Sequence, residues 1–67
     1  MSVARVTEIT AESKKGFEDA IQMGLKRANK TLRNVSGAWI KEMKVEVAKG
    51  EVVEYRVNMM VTFILDD

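Results

Sequence analysis

The sequence has 67 residues and is close to neutral, with eleven Lys plus Arg against ten Asp plus Glu; that balance predicts no nucleic-acid partner, and the lack of a long apolar run predicts no membrane span. It contains no cysteine, histidine or proline, which excludes disulfides, thiolate catalysis and Cys-based zinc and removes the commonest general base. A single domain over residues 1–67 is expected, and because a core of this size supplies only roughly 3–5 kcal/mol, further copies of the chain are the expected missing stabiliser.

The N-terminal stretch MSVARVTEIT lacks a secretory h-region, so a cytoplasmic chain is expected. Val3, Val6, Thr7 and Ile9 predict a short strand over Val3–Ile9, its alternation interrupted by Arg5 and Glu8. Ser13 is the expected N-cap of a helix, its hydroxyl accepting a free amide of the first turn. From there Phe17, Ala20, Ile21, Gly24, Leu25, Ala28, Thr31 and Leu32 recur at helical spacing and form one apolar stripe. The stripe predicts an amphipathic helix of about five turns lying on a sheet. Gly24, in mid-helix, is expected to permit close approach to that sheet. Lys26, Arg27, Lys30 and Arg33 crowd the last turns, where cations complement the helix dipole, and read as a solvated helix end. Met23 falls off the stripe and is expected at the surface.

Lys49-Gly50 is the one clear turn after Val35, and two long strands on either side of it predict a hairpin. In the last strand Val53, Tyr55, Val57, Met59, Val61, Phe63 and Leu65 make an unbroken apolar face expected to meet the helix. The other face mixes Val52, Met60 and Ile64 with Glu54, Arg56, Asn58 and Thr62, a composition suited to a wet protein interface or a ligand surface. A strand of about 15 residues spans roughly 50 Å, against roughly 30 Å for a helix of about 20, so part of the hairpin projects past its cover and needs a neighbouring chain.

The order strand, helix, hairpin, with S-x-x-G-F-E-x-A-I at Ser13 to Ile21, K-T-L-R-N at Lys30 to Asn34 and E-Y-R-V at Glu54 to Val57, resembles the dodecin family over essentially the whole chain. The resemblance implies an α+β fold, β-α-β-β, with a three-stranded antiparallel sheet wrapped around one amphipathic helix. It also implies a hollow homododecamer of tetrahedral symmetry that binds flavin (riboflavin, FMN or FAD) for storage or quenching, without being an enzyme. In flavin-binding members a tryptophan after the T-L-R-N-like run stacks on the isoalloxazine ring, and a glutamine in the last strand bonds its polar edge. Here Gly37 stands at that tryptophan's position, Trp39 comes two residues later, and Arg56 takes the glutamine's place.

Residues 37 and 39 share strand parity, so Trp39 is expected on the same face as the family's tryptophan, displaced by roughly 6.6 Å. Trp39 reads either as an aromatic wall for a planar aromatic ligand or as packing at a subunit interface. Arg56 reads either as a donor to a ligand's polar edge or as an ion pair with Glu54, Glu42 or Glu46 of an adjacent chain. Glu8, Glu12, Glu18 and Asp19 have no evident catalytic partner, and no enzyme is expected. Asp66 and Asp67, or carboxylates gathered by symmetry, offer oxygen ligands to calcium, and some dodecin-like proteins without the flavin pair are associated with that ion. A flavin-free assembly holding a metal, or serving as a structural shell, is therefore the alternative function.

Overall fold

The computed structural model describes residues 2–66. Strand β1 runs Ala4–Ser13, helix α1 Phe17–Thr31, strand β2 Val35–Ala48 and strand β3 Glu51–Ile64. Strand order is β1-β3-β2 and both pairings are antiparallel, so β3 is central and both other strands are edges. This is the α+β, β-α-β-β architecture expected from the sequence.

β1 extends four residues beyond the expected Ile9, pairing down to Ser13 opposite Tyr55. Thr7, Ile9, Ala11 and Ser13 face inward while Glu8, Thr10 and Glu12 face out, a period of two that the strand keeps to its end. Ser13 is therefore not the helix N-cap. Its buried hydroxyl donates to Asp19 Oδ2 at 2.6 Å and accepts from the Lys15 amide at 2.9 Å, closing the turn into the helix instead. Gly16 occupies the cap position without a side-chain cap bond, and its carbonyl accepts from Ala20 N at 3.1 Å. The helix is accordingly shorter than expected, 15 residues, or about 22 Å.

α1 packs on β1 and β3. Its small residues Ala20, Gly24 and Ala28 are buried against Val57, Met59 and Val61 of β3. Gly24 approaches closely, as expected: a Cβ there would lie 2.6 Å from Met59 Cε and 2.9 Å from Ala11 Cβ. At the helix start Phe17 meets Tyr55 edge to face, with centroids 5.1 Å apart.

The apolar face of β3 does not meet the helix along its whole length. Val57, Met59 and Val61 are buried, but Val53 and Leu65 at its two ends are exposed, because the helix covers only the middle of the strand. The molecule measures 52 Å along its longest axis, roughly twice the helix length, so the overhang expected from strand length is present. On the helix side of β2, Ile40, Met43 and Val45 stay partly or largely exposed. The turn is the expected one: Lys49 and Gly50 take φ of 54° and 78°, the two positive values a two-residue type I′ hairpin requires.

Candidate functional site

The sheet face turned away from α1 carries most of the ion pairs among the described residues. Met60 follows buried Met59 on β3 and so points outward; Trp39 is its register partner on β2 and shares that face. Gly37, opposite Thr62, lies on the same face with nothing within 4 Å of where a Cβ would stand. Trp39 is 53% exposed. The indole and the open space beside it leave an uncovered apolar surface on this face.

Further along, a register irregularity between Ile40 and Glu42 shifts the parity of β2. Before it odd residues point outward, after it even ones do, so Glu42, Lys44 and Glu46 join Trp39 on one face. Thr10 Oγ1 donates to Asn58 Oδ1 at 2.8 Å, and Asn58 Nδ2 donates to Glu42 Oε1 at 2.9 Å, linking all three strands. Lys41 Nζ lies 3.4 Å from Glu8 Oε1 across β3.

Arg56 is the most engaged side chain of this face. Its Nε donates to Glu12 Oε1 at 2.8 Å, its second terminal nitrogen lies 2.7 Å from the same oxygen, and its first lies 3.4 Å from Glu46 Oε1. Glu46 is one of the carboxylates the sequence suggests for it, but the partner belongs to the same chain; Glu12 was not among them. Alternation could have found Glu12 had β1 been continued past Ile9, because Glu8, Thr10 and Glu12 occupy every second position. Arg56 thus spends one N–H in a hydrogen bond to Glu12 and pairs by charge with Glu12 and Glu46, out of the five N–H groups a guanidinium offers.

Interaction with the neighbouring Glu54 carboxyl, and then with Arg56, holds the Glu12 carboxyl below the ordinary carboxylate range, against partial desolvation. Glu54 shifts the other way, raised by the same interaction with Glu12, by desolvation and by the charges of Glu12 and Glu46, and opposed by Arg56.

Trp39 and Arg56 do not meet within one chain. Their levels on β3, Met60 and Arg56, are four residues apart, about 13 Å along the strand. Among the described residues no group of three or more acidic side chains is placed to hold a metal ion. Asp66 instead accepts from Asn34 Nδ2 at 2.8 Å and lies 3.7 Å from Arg33, while Asp67 falls outside the described residues. Lys26, Arg27 and Lys30 project into solvent, as does Met23. No helix among the described residues is long and apolar enough to cross a membrane.

A short helix gripped by a three-stranded antiparallel sheet, with an aromatic group displayed on the sheet's far face, defines a small α+β class of protein. Comparison with known proteins makes the class specific: the family model described as Dodecin matches residues 3–66, and the chain belongs to the dodecin family. The dodecin of Thermus thermophilus is 37% identical over 65 residues, covering 97% of this chain and 94% of that protein. Among solved structures, a dodecin from Streptomyces davaonensis superposes with a TM-score of 0.93 at 33% identity, covering 98% of this chain and 97% of its own. A Thermus thermophilus dodecin variant in which a tryptophan is replaced by phenylalanine superposes with a TM-score of 0.93 at 36% identity over 100% of both chains.

Proposed function

We propose that the chain assembles as a homododecamer that binds and sequesters a flavin without catalysing a reaction on it. The reading rests on one observation above the others, the half-exposed indole of Trp39 beside the open floor at Gly37. When bound, an isoalloxazine supplies a broad π face and an edge alternating hydrogen-bond donors and acceptors. The stacking face suits the indole. Arg56 is assigned to the edge: its N–H groups not bonded to Glu12 answer carbonyl oxygens or a phosphate, though not a donor. Because Trp39 and Arg56 are separated along one chain, the site draws them from copies facing one another across a two-fold axis.

Purified protein should be yellow, or should quench added riboflavin in titration, and Trp39→Ala should abolish that quenching. The absence of quenching at tens of micromolar protein would overturn the flavin reading. The second reading is a flavin-free assembly that holds calcium or acts as a shell. It is favoured by the commitment of Arg56 to Glu12 and Glu46 of its own chain. Calcium-dependent thermal stabilisation of the assembly, without a flavin effect, is its expected signature.

A further inference from the structure

Lys41 is the residue that the irregularity in β2 inserts. Ile40 pairs with Met59 and Glu42 with Asn58, and Lys41 between them has no register partner. A bulge re-aims the side chain it carries. Here Lys41 turns onto the face of Trp39 and reaches across β3, its Nζ 3.4 Å from each carboxylate oxygen of Glu8. Glu8, Met60 and Trp39 stand opposite one another on β1, β3 and β2, so this ion pair closes the far end of the row that begins at the indole. Two strand spacings, about 10 Å, separate Trp39 from Glu8, a width that a flat system of fused rings spans. The neighbouring row, Gly37, Thr62 and Val6, carries no charge.

Lys41 is held more loosely than Arg56. Arg56 lies 2.7 and 2.8 Å from Glu12 and has Glu46 at 3.4 Å as well. The one ion-pair partner of Lys41 among the described residues is Glu8, and both side chains are largely open, 50% and 42% exposed. Their 3.4 Å separation is longer than the roughly 2.7–2.9 Å of a charge-assisted bond. An exposed pair of this kind contributes little net stability, so a ligand that satisfies both partners displaces it at small cost. An ammonium only donates and a carboxylate only accepts. Side by side they answer an edge on which a carbonyl stands next to an N–H, which neither Lys41 nor Arg56 does alone.

We infer that Lys41 and Glu8 are the polar-edge partners of the ligand stacked on Trp39: Lys41 donates to a carbonyl oxygen and Glu8 accepts from the adjacent imide N–H. The assignment deepens the flavin reading and rests on it. It names the ligand class as a flat ring system ending in a cyclic imide, and it sets the ring's direction, polar edge at Glu8 and apolar end at the indole and the open floor of Gly37. The second imide carbonyl, on the other side of the N–H, is left to the Arg56 that a facing copy supplies.

Quenching titrations on the full-length protein test this by comparing riboflavin with riboflavin methylated at its imide nitrogen. The unmodified protein should bind riboflavin about three- to tenfold more tightly than the methylated form, the worth of one hydrogen bond. In Glu8→Ala that ratio should fall towards one, because the acceptor is gone. Lys41→Met should weaken both flavins by a similar factor and leave their ratio, because the carbonyl it answers is present in both. Both substitutions break the same ion pair, so a purely structural role would move the two variants alike. Should Glu8→Ala fail to assemble, Glu8→Thr, a good strand former too short to reach the ligand, must show the same fall in ratio. A ratio unchanged without Glu8, or affinities unchanged without Lys41, would overturn the assignment while riboflavin quenching still upheld the flavin reading. Quenching by neither flavin would overturn both.

Discussion

Gly24 shows how one side chain's absence sets the distance between helix and sheet. Alanine is the better helix former by roughly 1 kcal/mol, so Gly24→Ala would stabilise an isolated helix. In the fold its Cβ would meet Met59 Cε at 2.6 Å and Ala11 Cβ at 2.9 Å. The methionine methyl can swing aside; the Ala11 Cβ is fixed to the β1 backbone. Over-packing of this kind costs about 1–3 kcal/mol, so the net effect should be a loss of about 1 kcal/mol in urea unfolding at fixed protein concentration. The loss should be smaller in an Ala11→Gly background, because the rigid contact is gone. A Gly24→Ala variant more stable than the parent would show that helix and sheet can separate freely. This close approach was legible from the sequence, since a glycine inside an apolar helical stripe has few other uses. Ser13 is the opposite case at the same scale: its hydroxyl suits a cap, but nothing in the chain order reveals that Asp19 and the Lys15 amide claim it.

Among elements, the regular ones were readable and the junctions were not. β3 alternates cleanly and Lys49-Gly50 announces its turn, whereas the parity change between Ile40 and Glu42 leaves no mark, because Trp39, Ile40, Lys41 and Glu42 suit either register. That irregularity decides that Glu42, Lys44 and Glu46 share a face with Trp39, so the composition of the outer face could not be assembled from the sequence. Asn34, at the helix-to-strand junction, is a further case. It adopts φ of 60°, and its Nδ2 donates to Asp66 Oδ1 at 2.8 Å and to Ile64 O at 3.3 Å. Alanine there should lose both the bonds and the tolerance for left-handed backbone, whereas glycine loses the bonds alone. Asn34→Ala should therefore be less stable than Asn34→Gly by about 1 kcal/mol, the cost of left-handed geometry for an L residue. Equal stabilities in chemical denaturation would mean that the side-chain bonds, not the backbone angle, secure this corner.

For the molecule as a whole, a single chain buries few apolar residues among those described: Ala20, Ala28, Val57, Met59 and Val61. Two of these five are alanines, and the large side chains Ile40, Met43 and Val45 on the helix side of β2 remain accessible. Composition alone asks for partners, and the uncovered flank of β2 is the apolar surface on which the proposed assembly can be tested. Met43 separates a lone chain from an assembly. In a monomer it would be a surface residue, and Met43→Glu would change stability by no more than about 0.5 kcal/mol. If another copy covers it, the same change places an unpaired carboxylate in an apolar contact, costing roughly 3–5 kcal/mol per contact. Repeated around a symmetric shell, that cost should be enough to disperse it. Light scattering on the unmodified protein should give about twelve times the chain mass, and its melting temperature should rise with protein concentration because folding and association are linked. Met43→Glu should shift the mass to much smaller species at the same concentration. A variant that keeps the parent's mass would place the subunit contacts elsewhere, leaving the exposed β2 flank unexplained by assembly.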